Sequence, residues 1–100
     1  MRAVREALDR VHAERKFEVV ITGGAHGADT MAHDWAISRD IAVEVYMAEW
    51  DRLGRKAGPI RNQRMLQEGK PDLVIAFPGG RGTANMIGQA RAAGVEIIAM

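Results

Sequence analysis

Two glycine-rich stretches contain the residue types most suited to binding a ligand. TGGAHGAD, residues 22–29, follows a β-branched run, and FPGGRGT, residues 77–83, follows an apolar run. Glycine lets the backbone turn tightly and lets a ligand approach the amides. Where such a loop opens a helix, free N–H groups and the positive end of the helix dipole attract phosphate. Each stretch taken alone is also compatible with an ordinary strand-to-helix turn.

The two loops together are more specific than either one alone. Ligands of open α/β sheets bind at the carboxyl ends of the strands, which is where both loops are predicted to lie. We therefore expect one phosphate-binding pocket between them. The loop residues assigned to this pocket are Gly23, Gly24, His26, Gly27, Asp29, Pro78, Gly79, Gly80, Arg81, Gly82 and Thr83.

Asp29 and Thr83 each have a structural alternative to ligand binding. Asp29 falls in a first helical turn, where a carboxylate interacts favourably with the helix dipole. It is equally suited to orienting the loop or to accepting a hydrogen bond from a ribose hydroxyl. The Thr83 hydroxyl is suited to capping its helix or to binding phosphate, and these two roles are compatible.

A basic helix supplies further candidate phosphate ligands. Arg61 and Arg64 follow Pro59 and are three residues apart, so they share a helix face. Near two anion-ready loops, guanidinium groups can bind phosphate in bidentate fashion. The alternative is a solvated basic face.

The aromatic and histidine residues give weaker signals. Trp35 is predicted to lie in the core, whereas Trp50 either stacks on a base or closes the core. His33 is predicted at the surface. The sequence has no cysteine, and its histidines and carboxylates lack metal-ligand spacing, so we expect no metal and no cofactor.

Helical and strand patterns alternate along the whole chain. Helices are predicted at 2–15, 28–38, 60–68 and 83–93, strands at 18–22, 42–47, 73–77 and 95–99, and an irregular polar segment at 48–58. This order predicts a single domain over residues 1–100. Its expected fold class is α/β, a Rossmann-like three-layer sandwich with a mostly parallel sheet of four strands.

Composition narrows the function classes. The 100 residues are 47% hydrophobic and have a net charge of +1, which gives no general reason for nucleic-acid or membrane affinity. The absence of cysteine excludes a disulfide framework, a zinc–thiolate site and a thiol nucleophile. We see no signal peptide and no apolar run of membrane-spanning length, so we expect a cytoplasmic protein.

Three ordered segments give the sequence a family resemblance. VVITGGAHGADTMAHDWA, GRKAGPIRNQRML and KPDLVIAFPGGRGTANM resemble the YpsA-related type of the SLOG superfamily, found in bacteria and phages. The resemblance implies a nucleotide pocket and a homodimer. It also implies a leading strand between the two strands that carry the glycine loops, which this sequence lacks. Those strands are therefore expected either to pair directly or to have another chain filling the gap.

More distantly, the sequence is similar to the Lonely Guy phosphoribohydrolases and to DNA-processing protein A. The Lonely Guy motif PGGxGTxxE is retained at 78–83, and Arg61 and Met65 match its preceding helix. However, Asn62 replaces the usual lysine, and Met86 replaces the glutamate expected to stabilise positive charge on the ribose. The resemblance therefore favours nucleotide binding over hydrolysis.

Three functions follow from these residues. The first is a sensor or sequestering module that binds a nucleotide or nucleotide-derived phosphate ligand between the glycine loops. The second is hydrolysis of the N-glycosidic bond of a nucleoside 5′-monophosphate, with Asp29, Glu49 or Asp51 in place of the missing glutamate. The third is binding of single-stranded DNA, which the low net charge and the few aromatic residues disfavour.

Overall fold

Helices and short strands alternate in the computed structural model of the chain, which describes residues 2–100. This confirms the mixed α/β class. In chain order the elements are α1 (Arg2–Arg15), β1 (Val19–Thr22), α2 (Ala28–Ser38), β2 (Ala42–Val45), α3 (Trp50–Leu53), a 3-10 turn (Gly54–Lys56), α4 (Ala57–Gln67), β3 (Leu73–Ala76), α5 (Arg81–Ala92) and β4 (Glu96–Ala99).

The segment predicted to be irregular is largely helical. Residues 50–58 contain α3, the 3-10 turn and the start of α4. Pro59 is the third residue of α4, where its missing N–H costs nothing because first-turn amides have no partner four residues back. The helix can therefore begin two residues before the proline, at Ala57, and Gly58 lies buried in its first turn.

The strands form two separate parallel pairs. Val19–Thr22 pairs with Ala42–Val45, and Leu73–Ala76 pairs with Glu96–Ala99. Within residues 2–100, β1 and β3 do not hydrogen-bond to each other. The described chain therefore does not form the expected four-stranded sheet. Of the two alternatives for the strands that carry the glycine loops, direct pairing does not occur in it.

The edges of β1 and β3 that lie away from their partner strands are open. Tyr46 N–H donates to the Thr22 carbonyl, and Met100 N–H donates to the Ala76 carbonyl. Because parallel ladders use alternate residues of a strand, the backbone groups of Ile21 and Ile75 point away from β2 and β4. Both residues line a cavity of about 950 Å³ between the two pairs. The gap expected from the resemblance is therefore present, and its filling by another chain, like the homodimer, stays a prediction.

An apolar cluster packs the two pairs against one another. Leu8 of α1 packs with Trp35, Ala36 and Ile41, and side chains from both β1 and β3 lie against this cluster. Trp35 is only 2% exposed, which confirms its predicted core position. The two strand pairs are therefore joined through helix packing in place of strand pairing.

A polar contact fixes α1 against α2. The Asp9 carboxylate accepts hydrogen bonds from the Trp35 indole at 2.9 Å and from the Arg39 guanidinium at 2.6 Å. The pKa of Asp9 is lowered most by the hydrogen bond from Trp35 and to a smaller extent by the hydrogen bond from Arg39. No helix within residues 2–100 is both long and apolar enough to cross a lipid bilayer.

Amide exchange tests the open edges. We expect the amides of Thr22 and Ala76 to exchange about tenfold more slowly than those of Ile21 and Ile75, because only the former have ladder partners. Exchange measured residue by residue by NMR on the 100-residue chain checks this, with both classes in one sample. Equal protection would show that the inner edges are paired.

The hydrogen bonds to Asp9 predict that part of the free energy of unfolding is lost at acid pH. Folding lowers the pKa of Asp9. The ionised carboxylate therefore stabilises the folded state fully at pH values above its ordinary pKa of 3.8, and this stabilisation is lost as the pH falls through the pKa of the folded state. Asp9→Asn should be less stable than wild type at neutral pH and should lose less stability on acidification. Urea unfolding from pH 7 downward measures this, with Asp34→Asn as control. Parallel losses in wild type and Asp9→Asn would contradict it.

Candidate functional site

The cleft between β1 and β3 has both glycine loops at its carboxyl end. Most of the residues expected to bind ligand lie along its wall: Gly23, His26, Asp29, Arg61, Pro78, Gly79, Gly80, Gly82 and Thr83. The loops follow parallel strands, so they lie at the same end of the fold. The structure therefore brings the two sequence motifs together in one cavity.

Asp29 shapes the first loop from inside. Its Oδ2 accepts hydrogen bonds from the Gly23 and Ala25 amides, each at 3.1 Å. Gly27, at the N-cap of α2, has φ 88°, a left-handed conformation suited to glycine, and no side chain caps this helix. Asp29 therefore has the loop-orienting role, and the first-turn amides of α2 are left without a side-chain partner.

The second loop leaves the start of α5 open. Gly80 is the N-cap residue, and no side chain caps the helix. A Cβ on Gly79 would clash with the Thr83 hydroxyl oxygen, so the close fold of this loop requires glycine. Thr83 therefore packs its hydroxyl against the loop and does not cap α5. Like α2, α5 presents uncapped amides at the cleft.

Arg61 and Asn62 of α4 connect the two loops. Arg61 Nη1 donates to the Gly23 carbonyl at 2.7 Å, and Arg61 Nε donates to Asn62 Oδ1 at 2.8 Å. Asn62 Nδ2 in turn donates to the Gly82 carbonyl at 3.2 Å and to Asn85 Oδ1 at 3.1 Å. We call this chain of bonds the Arg61–Asn62 brace. It fixes the spacing of the loops before any ligand arrives.

The brace changes the role expected of Arg61. Two of the five N–H donors of its guanidinium are committed to Gly23 and Asn62. The other N–H donors of the Arg61 guanidinium belong to a side chain that lines the cleft. Arg61 therefore orients the first loop and still presents positive charge to the site.

Other predicted residues lie away from the cleft wall. Gly24, Gly27, Arg64 and Arg81 do not line the cavity. Arg64 Nε instead donates to Glu68 at 3.0 Å, and its guanidinium lies over the Tyr46 ring at 5.4 Å. Arg61 therefore lines the cleft and Arg64 does not, and binding of one phosphate by both guanidinium groups stays a prediction.

The candidate bases are engaged or distant. Glu49 forms an ion pair with Arg52 at 2.8 Å, which lowers the pKa of the Glu49 carboxyl, and it does not line the cavity. Asp29 is bonded to loop amides, and Asp51 is exposed on α3 outside the lining. Met86 does line the cleft, where its thioether offers no charge. The loop end of the cleft thus holds no free carboxylate among the described lining residues.

Asn62 and Asn85 are the site residues that sequence reasoning left unassigned. Asn62 is 3% exposed, and Asn85 also accepts a hydrogen bond from Gln89 at 2.7 Å. Asn85 and Gln89 are four residues apart and share one face of α5, and two amide side chains on one helix face can indicate hydrogen bonding to a neighbouring helix. Nothing in the local pattern of the sequence indicates that α4 and α5 face each other, and their polar side chains therefore show no sign of being partners.

Asn62→Leu tests the brace. The substitution removes three hydrogen bonds from a buried position and leaves their partners unsatisfied, so we expect a loss of about 1–3 kcal/mol in stability. Urea unfolding measures it. Gln63→Leu, the same change at the exposed neighbouring position, should stay within about 0.5 kcal/mol of wild type. Equal effects of the two substitutions would show that the brace contributes nothing to stability.

Comparisons with known proteins identify the family. Residues 1–53, which include the first glycine loop, match the model described as YspA, cpYpsA-related SLOG family (YAcAr). The chain is also 37% identical over 97 residues to the "Gene 61 protein" of Mycobacterium phage D29, covering 90% of this chain and 77% of the relative. No solved structure gave a significant match. The chain belongs to the YspA, cpYpsA-related SLOG family.

Proposed function

We propose that this domain binds a nucleotide or nucleotide-derived phosphate ligand, acting as a sensor or sequestering module. The observation that carries the proposal is the convergence of two uncapped helix N-termini, those of α2 and α5, on one cleft. Free amides and helix dipoles attract anions, and two such termini at one cleft are suited to binding a ligand with more than one anionic oxygen. Membership of a SLOG family agrees with a nucleotide-related role.

The brace supports tight binding by fixing the loops in advance. Asp29 orders the first loop, and Arg61 and Asn62 tie that loop to the start of α5. A ligand entering a site whose donors are already positioned loses less free energy to ordering the protein. The phosphate is expected between the Gly23–Gly27 loop and the Pro78–Gly82 loop, with Arg61 at its side.

The arrangement favours binding over N-glycosidic hydrolysis. A hydrolase of this kind needs a carboxylate to stabilise positive charge on the ribose as the base leaves. Asp29 is occupied by two amides, and Met86 is apolar. We therefore expect the domain to leave a bound nucleoside monophosphate intact.

Gly80→Asp tests the phosphate site. The position has φ −95° and no atom within 4 Å of an added Cβ, so the side chain fits. A carboxylate there repels a bound phosphate, and we expect affinity to fall by more than about tenfold. Calorimetry with AMP, ADP-ribose and a cyclic dinucleotide measures this.

Gly80→Asn is the matched control, because it has nearly the same shape without the charge. The Asn side chain can cap the first-turn amides as Asp can, so this variant should bind the ligand more weakly than wild type but clearly more tightly than Gly80→Asp. Equal binding by both variants would place the phosphate elsewhere, and the absence of binding to wild type across the panel would contradict the proposed function.

A further inference from the structure

The tryptophan left ambiguous by the sequence lies at the surface. Trp50, the first residue of α3, is 58% exposed, whereas Trp35 is 2% exposed. Its role is therefore not to close the core. Single exposed apolar side chains are common on proteins, so exposure alone assigns no function. What Trp50 contacts is more informative.

The Trp50 ring lies on the helix that carries the brace. A Cβ on Gly58 would be 3.2 Å from Cη2 of Trp50, so the glycine leaves the space in which the ring sits. Gly58 and Asn62 are four residues apart on α4 and share its face. The ring thus lies one helical turn from Asn62, which lines the cleft, although neither Trp50 nor Gly58 lines it.

Met47 is a second apolar side chain, and it lies against the first glycine loop. It is 60% exposed, and a Cβ on Gly24 would clash with its sulfur. Met47 and Trp50 therefore both pack on glycine backbone belonging to the elements that form the proposed phosphate site. We call these two side chains the apolar rim.

The charge around the rim is positive by one unit, because Glu49 pairs with Arg52 and Asp51 offsets one of the two remaining cations, Arg55 and Lys56. Arg55 and Lys56 lie in the 3-10 turn between Trp50 and Gly58, and both are exposed. Neither forms a salt bridge with any residue from 2 to 100. A purely apolar partner would leave these charges near its surface without compensation, whereas a nucleotide benefits from them.

We propose that Trp50 is the stacking platform for the nucleobase of the ligand whose phosphate lies between the glycine loops. This inference rests on the proposed phosphate site, and it adds a reason why that site prefers nucleotides to other phosphates. The base lies outside the cleft on the exposed indole, and Met47 borders it, since thioethers make favourable contacts with aromatic rings. A flat π-system stacks on tryptophan with little dependence on base identity, so the platform distinguishes nucleotides from sugar phosphates.

Calorimetry with AMP and with ribose 5-phosphate tests this directly. Wild type should bind AMP about tenfold or more tightly than ribose 5-phosphate, because base stacking contributes on that scale. Trp50→Ala should abolish the difference and leave ribose 5-phosphate affinity unchanged, and Trp50→Phe should retain most of it. Ile37→Ala, which removes another exposed apolar side chain (57% exposed) from the far end of α2, should change neither affinity.

The possible failures are distinguishable from one another. If wild type binds both compounds equally, or if Trp50→Ala keeps the full preference for AMP, the platform is wrong while the phosphate site stands. If wild type binds neither compound, the platform and the phosphate site proposed for such ligands are both overturned. If the tryptophan fluorescence of wild type changes with protein concentration alone, and Trp50→Ala abolishes both this change and self-association, the rim is a contact between copies and the platform is overturned.

Discussion

Arg61 and Asn62 join the parts of this fold that its strands leave separate. In a continuous sheet, hydrogen bonds between neighbouring strands would fix the distance between the two glycine loops. Here β1 and β3 do not pair with each other in the described chain, and a side-chain network supplies that connection at the loop end. Because Asn62 is buried, its bonds are shielded from water and each of them fixes a particular geometry.

The open edges and the apolar cluster have opposite effects on the same cleft. The cluster around Leu8 and Trp35 draws the two strand pairs together through α1 and α2. The inner edges of β1 and β3 keep backbone donors and acceptors facing the cavity, and buried backbone groups without partners are costly. The cleft therefore has two distinct regions, an open ladder along the strands and an anion-ready end at the glycine loops.

Glycine contributes to this molecule by leaving space as well as by turning the chain. Gly79 admits the Thr83 hydroxyl, Gly24 admits Met47, and Gly58 admits the Trp50 ring. In each case a neighbouring side chain packs directly on backbone. Close side-chain packing of this kind occurs at each of the two glycine loops and at the start of α4.

The α/β class, the alternation of elements, the two glycine loops, the core position of Trp35 and the family could all be predicted from the sequence. These follow from local periodicity, from glycine and proline placement, and from motifs that are contiguous in the chain. Three other features became visible with the three-dimensional arrangement: β1 and β3 stay apart, Arg64 faces Tyr46 and Glu68, and Asn62 and Asn85 bond across α4 and α5. The same arrangement also decided that Trp50 lies at the surface. The physical reason is that strand pairing, burial and side-chain partners depend on which elements meet in space, and residues far apart in the chain do not encode that meeting locally.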